Sequence, residues 1–229
     1  MSKTIKGISS MAMKDIVGDL SAQWQREAMV EVAFESVGGV DAARRIANGE
    51  PLDVVVLASD AIDTLMSSGH LLEGSKLDLA RSGVAVAVRR GAPHPDIASP
   101  QAFLATIAAA RTVGYSTGPS GVELVKLLDR LGLSQLMADK LVRAEPGQPV
   151  GGLVARGEVE IGIQQLSELV HVAGVDVVGS LPAEYQIVTT FSAAVCVASV
   201  QPSLAGELVR YFQSGEGDAI KRRHGTLPA

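Results

Sequence analysis

Cysteine, aromatic residues and long apolar runs are all scarce in this sequence of 229 residues. The one cysteine, Cys196, excludes an intramolecular disulfide, and its apolar surroundings indicate a small buried side chain. Aromatic residues make up only 3 % of the chain, so the core has to be built from aliphatic side chains. No apolar run reaches the roughly 18 residues that a membrane-spanning helix requires. We therefore expect an aliphatic globular protein without membrane insertion.

The sequence also has no excess of positive charge and no recognised catalytic motif. The formal net charge is −5, and no stretch combines clustered cations with aromatic residues, so we expect no nucleic-acid partner. The sequence contains no Walker-type loop, no GxSxG and no complete GxGxxG motif. The histidines lack metal-ligand spacing; they are His70, His94, His171 and His224. These absences predict no metal, no cofactor and no recognised catalytic residue.

The N-terminal sequence MSKTIKGISS lacks the apolar stretch of a secretory signal. This favours the cytosol for the chain as it stands. The periplasm is expected instead if a leader has been removed.

The rest of the chain alternates apolar runs with amphipathic stretches, which is typical of an α/β fold. The run LDVVVLAS, at 52–59, predicts a central parallel strand that is buried on both faces. The other predicted strands are 4–9, 29–36, 83–90, 111–116, 140–145, 158–164, 175–180 and 188–200. The predicted helices are 11–27, 41–48, 60–67, 100–109, 121–131, 134–139, 151–156, 166–171, 202–213 and 216–223. Two α/β units make a cleft between them the natural ligand site.

The clearest local signal is the segment TGPSGVEL, at 117–124. Pro119 favours a turn, and Ser120 with Glu123 has the spacing of a capping box. The N–H groups of Gly121 and Val122 would then be free at a helix start, where the partial positive charge suits an anion. A plain helix cap without a ligand is the alternative.

Similar strand-to-helix turns occur at three other places. ISSMAMKD, at 8–15, offers the hydroxyls of Ser9 and Ser10, backbone N–H groups and the nearby cation Lys14. SVGGVDAARR, at 36–45, and PGQPVGGL, at 146–153, are rich in glycine, which permits close approach to a ligand. The additional candidate ligand-binding residues in these turns and at the strand end near 165 are Met11, Ala12, Ser36, Gly38, Gly39, Gln148 and Gln165.

Five segments resemble the molybdate-binding proteins of ABC importers, and together they extend over nearly the whole chain. The GEPLDV pattern and the YFQSGEG…RRHG ending are the most specific. The segments are SSMAMKDIVGDLSAQWQRE, FESVGGVDAARRIANGEPLDVVVLASDAIDTL, GPSGVELVKLLDRLG, ARGEVEIGI and LVRYFQSGEGDAIKRRHG. The resemblance implies a two-lobed, type 2 periplasmic-binding-protein fold. Each lobe would be a mixed, mostly parallel sheet flanked by helices. Residues 1–83 with 192–229 would form lobe one, and 84–191 would form lobe two.

The resemblance also implies an oxyanion held by hydroxyls and backbone N–H groups at helix starts. The first-loop serine of the family falls at Ala12, and the second falls near Ser36 to Gly39, where this chain has two extra residues. The family's PAG-like loop matches Pro119 to Gly121, and its tyrosine falls at Gln165. These departures favour a different oxyanion or a small carboxylate.

We therefore expect a monomeric protein that binds a small anion in an interlobe cleft, either as a component of an ABC transporter with its permease or as a soluble sensor. Hinge closure would occur near Ser82-Gly83 and Val188–Phe191. An isomerase-like enzyme acting on a small organic acid is the alternative, and it would need an acid–base residue with a perturbed pKa. An effector-sensing domain like those of LysR-type regulators is a third hypothesis.

Overall fold

The computed structural model describes residues 4–229, which form ten strands and ten α-helices. The strands are β1 (Thr4–Ser10), β2 (Glu31–Val37), β3 (Val54–Ala58), β4 (Leu77–Arg89), β5 (Val113–Tyr115), β6 (Leu141–Arg143), β7 (Ile161–Gln165), β8 (Val175–Ser180), β9 (Val188–Val195) and β10 (Thr226–Pro228). The helices are α1 (Lys14–Ala28), α2 (Gly39–Ala47), α3 (Ser59–Ser67), α4 (Pro100–Ala109), α5 (Pro119–Arg130), α6 (Ser134–Met137), α7 (Val150–Arg156), α8 (Leu166–Leu169), α9 (Pro202–Gln213) and α10 (Asp218–Arg223).

The chain divides into two compact units. Unit 1 comprises the chain through Arg81 together with Thr190–Ala229, and unit 2 is Ser82–Thr189. Both divisions fall inside strands, since β4 and β9 each contribute residues to the two units. Within residues 4–229, no helix is both long enough and apolar enough to cross a membrane.

Unit 1 is a sheet with helices on both faces. Its strands lie in the order β2-β1-β3-β9, in which β1 is parallel to β2 and β3 while β9 is antiparallel to β3. Every residue of β3 is buried, because alternate side chains of the strand face opposite layers. Val54 and Val56 pack in the core with α1 and α9, whereas Val55 and Leu57 pack with α2 and α3.

Unit 2 repeats this plan. Its strands lie in the order β4-β7-β5-β6, in which β5 is parallel to β6 and β7 while β4 is antiparallel to β7. Val84 and Val86 of β4 face a core that contains Phe103 of α4 and residues of α5. Ala85 and Ala87 face α7 and α8, where the small alanine side chains leave room for these short helices.

The predicted α/β fold, with mixed sheets flanked by helices, is confirmed. Several predicted bounds differ from the structure. Strand β4 begins at Leu77 rather than at residue 83, because an amphipathic stretch with charged residues hides its first half in the sequence. The predicted strand 188–200 ends at Val195 because the chain turns after Cys196. The short strand β10 was missed.

Candidate functional site

Three serines lie together at the carboxyl edge of unit 1. In the parallel pair β1 and β2, Ser9 is in register with Ser36 and Ser10 with Val37. The hydroxyl oxygens of Ser9 and Ser36 are 2.8 Å apart and share a hydrogen bond. Because β1 lies between β2 and β3, the chain leaves this edge toward both sides of the sheet. Such a switch point is where open α/β sheets bind ligands.

Helix α2 begins beside these serines. Gly38 is its N-cap, and the Gly38 carbonyl accepts the Ala42 N–H. Within the described part of the chain, the N–H groups of Gly39 and Val40 have no acceptor, as expected for the first turn of a helix. A Cβ atom added to Gly39 would lie 3.8 Å from the Ser10 Cβ, so this helix start is close to the Ser10 side chain. The edge therefore presents hydroxyl and amide donors together.

The Ser10 hydroxyl is buried and has no hydrogen-bond partner. The residue is 8 % exposed. Among the described residues, the buried side-chain oxygen and nitrogen atoms without a hydrogen-bond partner are Ser10 Oγ, Ser21 Oγ and Gln165 Oε1. Leaving such a group unsatisfied costs about 1–3 kcal/mol, so these positions call for an explanation. Ser21 lies on the buried face of α1, but Ser10 and Gln165 are both sequence-predicted ligand residues.

Met11 and Ala12 form a 3-10 turn, Met11–Met13, between β1 and α1. Ala12 is buried and carries no side-chain donor, so this turn offers a ligand only its backbone N–H groups. Ser10, directly before this turn, is its N-cap residue in an extended conformation, and its side chain makes no capping hydrogen bond.

A pocket of about 400 Å³ opens beside Ser36 within unit 1. Its lining includes the cation Lys14 and the aromatic ring of Phe34. The Nε2 atom of His224 lies 2.8 Å from an Asp19 carboxylate oxygen, and both residues line the pocket. The hydrogen bond from His224 is the main reason that the pKa of Asp19 lies below its ordinary value. Both signs of charge thus flank Ser36.

The corresponding edge of unit 2 carries a second pair of serines. Strand β5 lies between β6 and β7, which repeats the switch point of unit 1. The loop after β5 brings Ser116 Oγ and Ser120 Oγ to 3.2 Å from each other. Gly121 makes this approach feasible, because a Cβ atom there would overlap the Ser116 carbonyl oxygen.

The predicted capping box of α5 is wrong. The helix begins at Pro119 with Gly118 as N-cap, so Ser120 is already helical and Glu123 instead pairs with Lys126 at 2.7 Å. Since proline at the first helical position and the extended Gly118 already start the helix, no serine cap is needed.

The amide donors of this loop also differ from those predicted. The N–H groups of Gly121 and Val122 both bond to the Gly118 carbonyl, at 3.0 and 3.1 Å. In the described chain, the Ser120 N–H is the amide of this first turn that lacks an acceptor. The first turn of α5 therefore has one free backbone donor, at Ser120.

The glutamines of unit 2 have different roles. Gln148 accepts the Glu145 N–H at 3.4 Å through its own side-chain oxygen, so it closes a local turn. Gln165, which is 2 % exposed, donates from Nε2 to Thr189 Oγ1 at 2.6 Å, and its Oε1 has no partner. Exchanging the amide oxygen and nitrogen would let Thr189 donate instead and would leave the Gln165 NH₂ group free to bind an anion.

Glu168, which the sequence did not single out, is a carboxyl group with a raised pKa in unit 2. Glu168 lies in α8, three residues after Gln165. Burial raises the pKa of Glu168 to about 7, although a hydrogen bond from Gln164 acts in the opposite direction. Gln164 is fixed in turn, because its Oε1 accepts the Val150 N–H at 3.0 Å. No sequence motif marks Glu168, since its pKa depends on packing around α8.

Several known proteins match this chain over nearly its full length. An aconitate isomerase from Pseudomonas sp. is 38 % identical, and the alignment covers 98 % of this chain and 88 % of that protein. The periplasmic molybdate-binding protein of Azotobacter vinelandii superposes with a TM-score of 0.81 at 20 % identity, covering 97 % of this chain and 98 % of the other. The tungstate ABC transporter protein of Geobacter sulfurreducens gives 0.74 at 14 % identity, covering 93 % and 95 %.

The two structural matches show the fold, and they confirm the resemblance inferred from the sequence motifs. The sequence model of the bacterial extracellular solute-binding proteins matches residues 5–227. This chain therefore belongs to the bacterial extracellular solute-binding protein family.

Proposed function

We propose that this protein binds a small carboxylate anion through hydroxyl and amide donors. The observation that carries the proposal is the buried, unpartnered Ser10 Oγ, which lies beside the free N–H groups at the start of α2 and which the sequence analysis assigned to ligand binding. A ligand contact is one way in which the cost of an unsatisfied buried polar group is offset. Family membership supports a small ligand and a permease as partner.

These donors favour an anionic ligand because several neutral hydrogen-bond donors together can stabilise a negative charge. Unit 1 offers the Ser10 hydroxyl and the free N–H groups at the start of α2. Taken by itself, unit 2 offers the Ser120 N–H, and Gln165 becomes a donor only when its amide oxygen and nitrogen are exchanged. Hydrogen bonds to a charged acceptor are roughly twice as strong as neutral ones, and helix starts add partial positive charge. The name of the 38 % identical relative supports a carboxylate rather than molybdate.

Isomerisation of the bound acid is the second candidate function. It is favoured by the match to an aconitate isomerase, which extends over almost the whole chain. Isomerising an unsaturated carboxylate moves only a proton and an electron pair, so it needs an acid–base group and no cofactor. This candidate agrees with the organic-acid isomerase that the sequence left open.

Isothermal titration calorimetry with aconitate, citrate, succinate and molybdate tests the binding proposal. We expect binding of at least one carboxylate and no competition from molybdate. Binding of molybdate alone would refute the carboxylate assignment. No heat with any of the four, from a sample whose circular dichroism shows a folded protein, would refute the function. Proton NMR of the same aconitate samples would show whether the two double-bond isomers interconvert.

A further inference from the structure

An unpaired cation lies beside the carboxyl edge of unit 1. Lys14 is the first residue of α1, and it lines the pocket that opens beside Ser36. Among residues 4–229, its ammonium group has no hydrogen-bond or ion-pair partner. Ser36 connects the pocket to the edge, because its hydroxyl shares a hydrogen bond with Ser9, the residue directly before Ser10. The pocket with Lys14 is therefore adjacent to the neutral donors of the proposed carboxylate site.

The acidic residues of the pocket do not neutralise Lys14. Asp19 is ion-paired with Arg223, and its carboxylate also lies 2.8 Å from His224 Nε2. A carboxylate oxygen of Asp15 lies within 4.8 Å of an imidazole nitrogen of His224. Both acids are thus located beside other basic groups, and Lys14 is available to an anionic group of a ligand.

Gly18 and Phe34 provide the space and the apolar wall that the carbon chain of a ligand needs. Gly18 lies inside α1, where glycine lowers helix stability relative to alanine. A Cβ atom added to Gly18 would meet nothing within 4 Å, so packing does not require glycine there, and its missing side chain keeps the pocket open. The pocket volume of about 400 Å³ lies within the roughly 300–1,000 Å³ that is typical of small-molecule sites.

We propose that Lys14 binds a second carboxylate group of the ligand, so that the protein selects di- and tricarboxylates over monocarboxylates. The inference rests on the proposed carboxylate binding, and it names the class of carboxylate and a residue that determines this specificity. The first carboxylate binds the Ser10 hydroxyl and the N–H groups at the start of α2. The second forms an ion pair with Lys14, which offsets the repulsion between the two negative charges. A monocarboxylate makes only the first set of contacts.

Calorimetric titration with acids that carry different numbers of carboxylates tests this inference. The panel is aconitate with three carboxylates, succinate with two, and butyrate and crotonate with one. We expect wild-type protein to bind the best di- or tricarboxylate about 10-fold or more tightly than either monocarboxylate. Lys14→Met should raise the Kd of that ligand about 10-fold and leave the Kd of the monocarboxylates within about twofold. Lys14→Arg keeps the charge and should retain part of the preference.

Two further variants separate the charge of Lys14 from the space of the pocket. Lys6→Met is the matched control, because Lys6 is an exposed lysine of unit 1 that has no side-chain partner among the described residues and does not line the pocket. It should leave every Kd unchanged. Gly18→Leu places a side chain in the open pocket and should remove the preference for di- and tricarboxylates without lowering Tm, since leucine favours a helix more than glycine does.

The dependence of Kd on salt is a readout that a structural role of Lys14 would not change. Because an exposed ion pair is screened by salt, added NaCl should raise the Kd of the best ligand more for the wild type than for Lys14→Met. An unchanged Kd in Lys14→Met, or an equal loss for mono- and polycarboxylates, would overturn the inference. Wild-type protein that binds butyrate or crotonate as tightly as the other acids would refute the inference and leave the proposed function standing. Wild-type protein that binds no carboxylate would refute both.

Discussion

Replacing Ser10 by alanine should stabilise the ligand-free protein and weaken ligand binding. The Ser10 hydroxyl is buried, and it makes no hydrogen bond that the substitution would break. An unsatisfied buried hydroxyl costs about 1–3 kcal/mol, so its removal should raise the free energy of unfolding by about 1 kcal/mol. For a protein of this size that corresponds to about 2–4 °C in Tm.

Binding should change in the opposite direction. A hydrogen bond to a charged group contributes about 1.5–3 kcal/mol, which corresponds to a Kd increase of roughly 10- to 150-fold. Thermal unfolding without ligand and calorimetric titration with the carboxylate that binds wild type best would measure the two effects on the same sample.

Ser21 supplies a matched control. Its hydroxyl is also buried without a partner, and the residue is 5 % exposed, but it lies on the packed face of α1. Ser21→Ala should raise Tm by a similar amount, with help from the better helix propensity of alanine, and should leave Kd unchanged. A Ser10→Ala protein that is less stable and binds with unchanged Kd would refute the reasoning. Equal effects of both variants on Kd would show that the loss does not come from a ligand contact.

Three further predictions concern stability and reactivity. Gly121→Ala should destabilise unit 2 by more than the usual ~1–3 kcal/mol of overpacking, because its Cβ would meet the rigid Ser116 carbonyl oxygen; urea unfolding measures this. The pKa of Asp19 is lowered mainly by His224, so its stabilising effect is complete above the unfolded pKa of about 3.9 and is lost as pH falls through the folded value. Thermal unfolding of Asp19→Asn should therefore depend less on pH between about 5 and 2. Burial raises the pKa of Cys196 to about 12, so DTNB at about pH 8 should label the thiol only after unfolding.

The sequence predicts best the strands that are buried on both faces and the helices whose ends are marked by residues such as proline. The valine run of β3 is buried on both faces, so its uniform hydrophobicity alone indicates a central strand. Helix α9 has the bounds expected from its pattern, since Pro202 favours the first helical position and the apolar period ends at Gln213. The proximity of the serines of β1 and β2 could also be predicted, because the carboxyl ends of parallel strands lie at the same edge of a sheet.

Other features depend on contacts that spacing does not encode. Whether Ser120 or Gly118 caps α5 depends on the backbone conformation that Pro119 imposes, and a serine three residues before a glutamate has the same spacing in either case. Gln148 looks like a ligand donor in the sequence but is used by its own turn. The raised pKa of Glu168 could not be predicted from the sequence, because it arises from burial, which depends on how α8 packs.

The two units share one topology but differ in the chemistry at the corresponding edge. In each, a central parallel strand separates the next two strands, and polar loops follow at the switch point. Unit 1 places serine hydroxyls and amide groups there, and these groups do not ionise near neutral pH. In unit 2, burial raises the pKa of Glu168 to about 7. Because no group beside Ser10 in unit 1 has to exchange a proton with a bound anion, changes at Ser10 should appear in Kd.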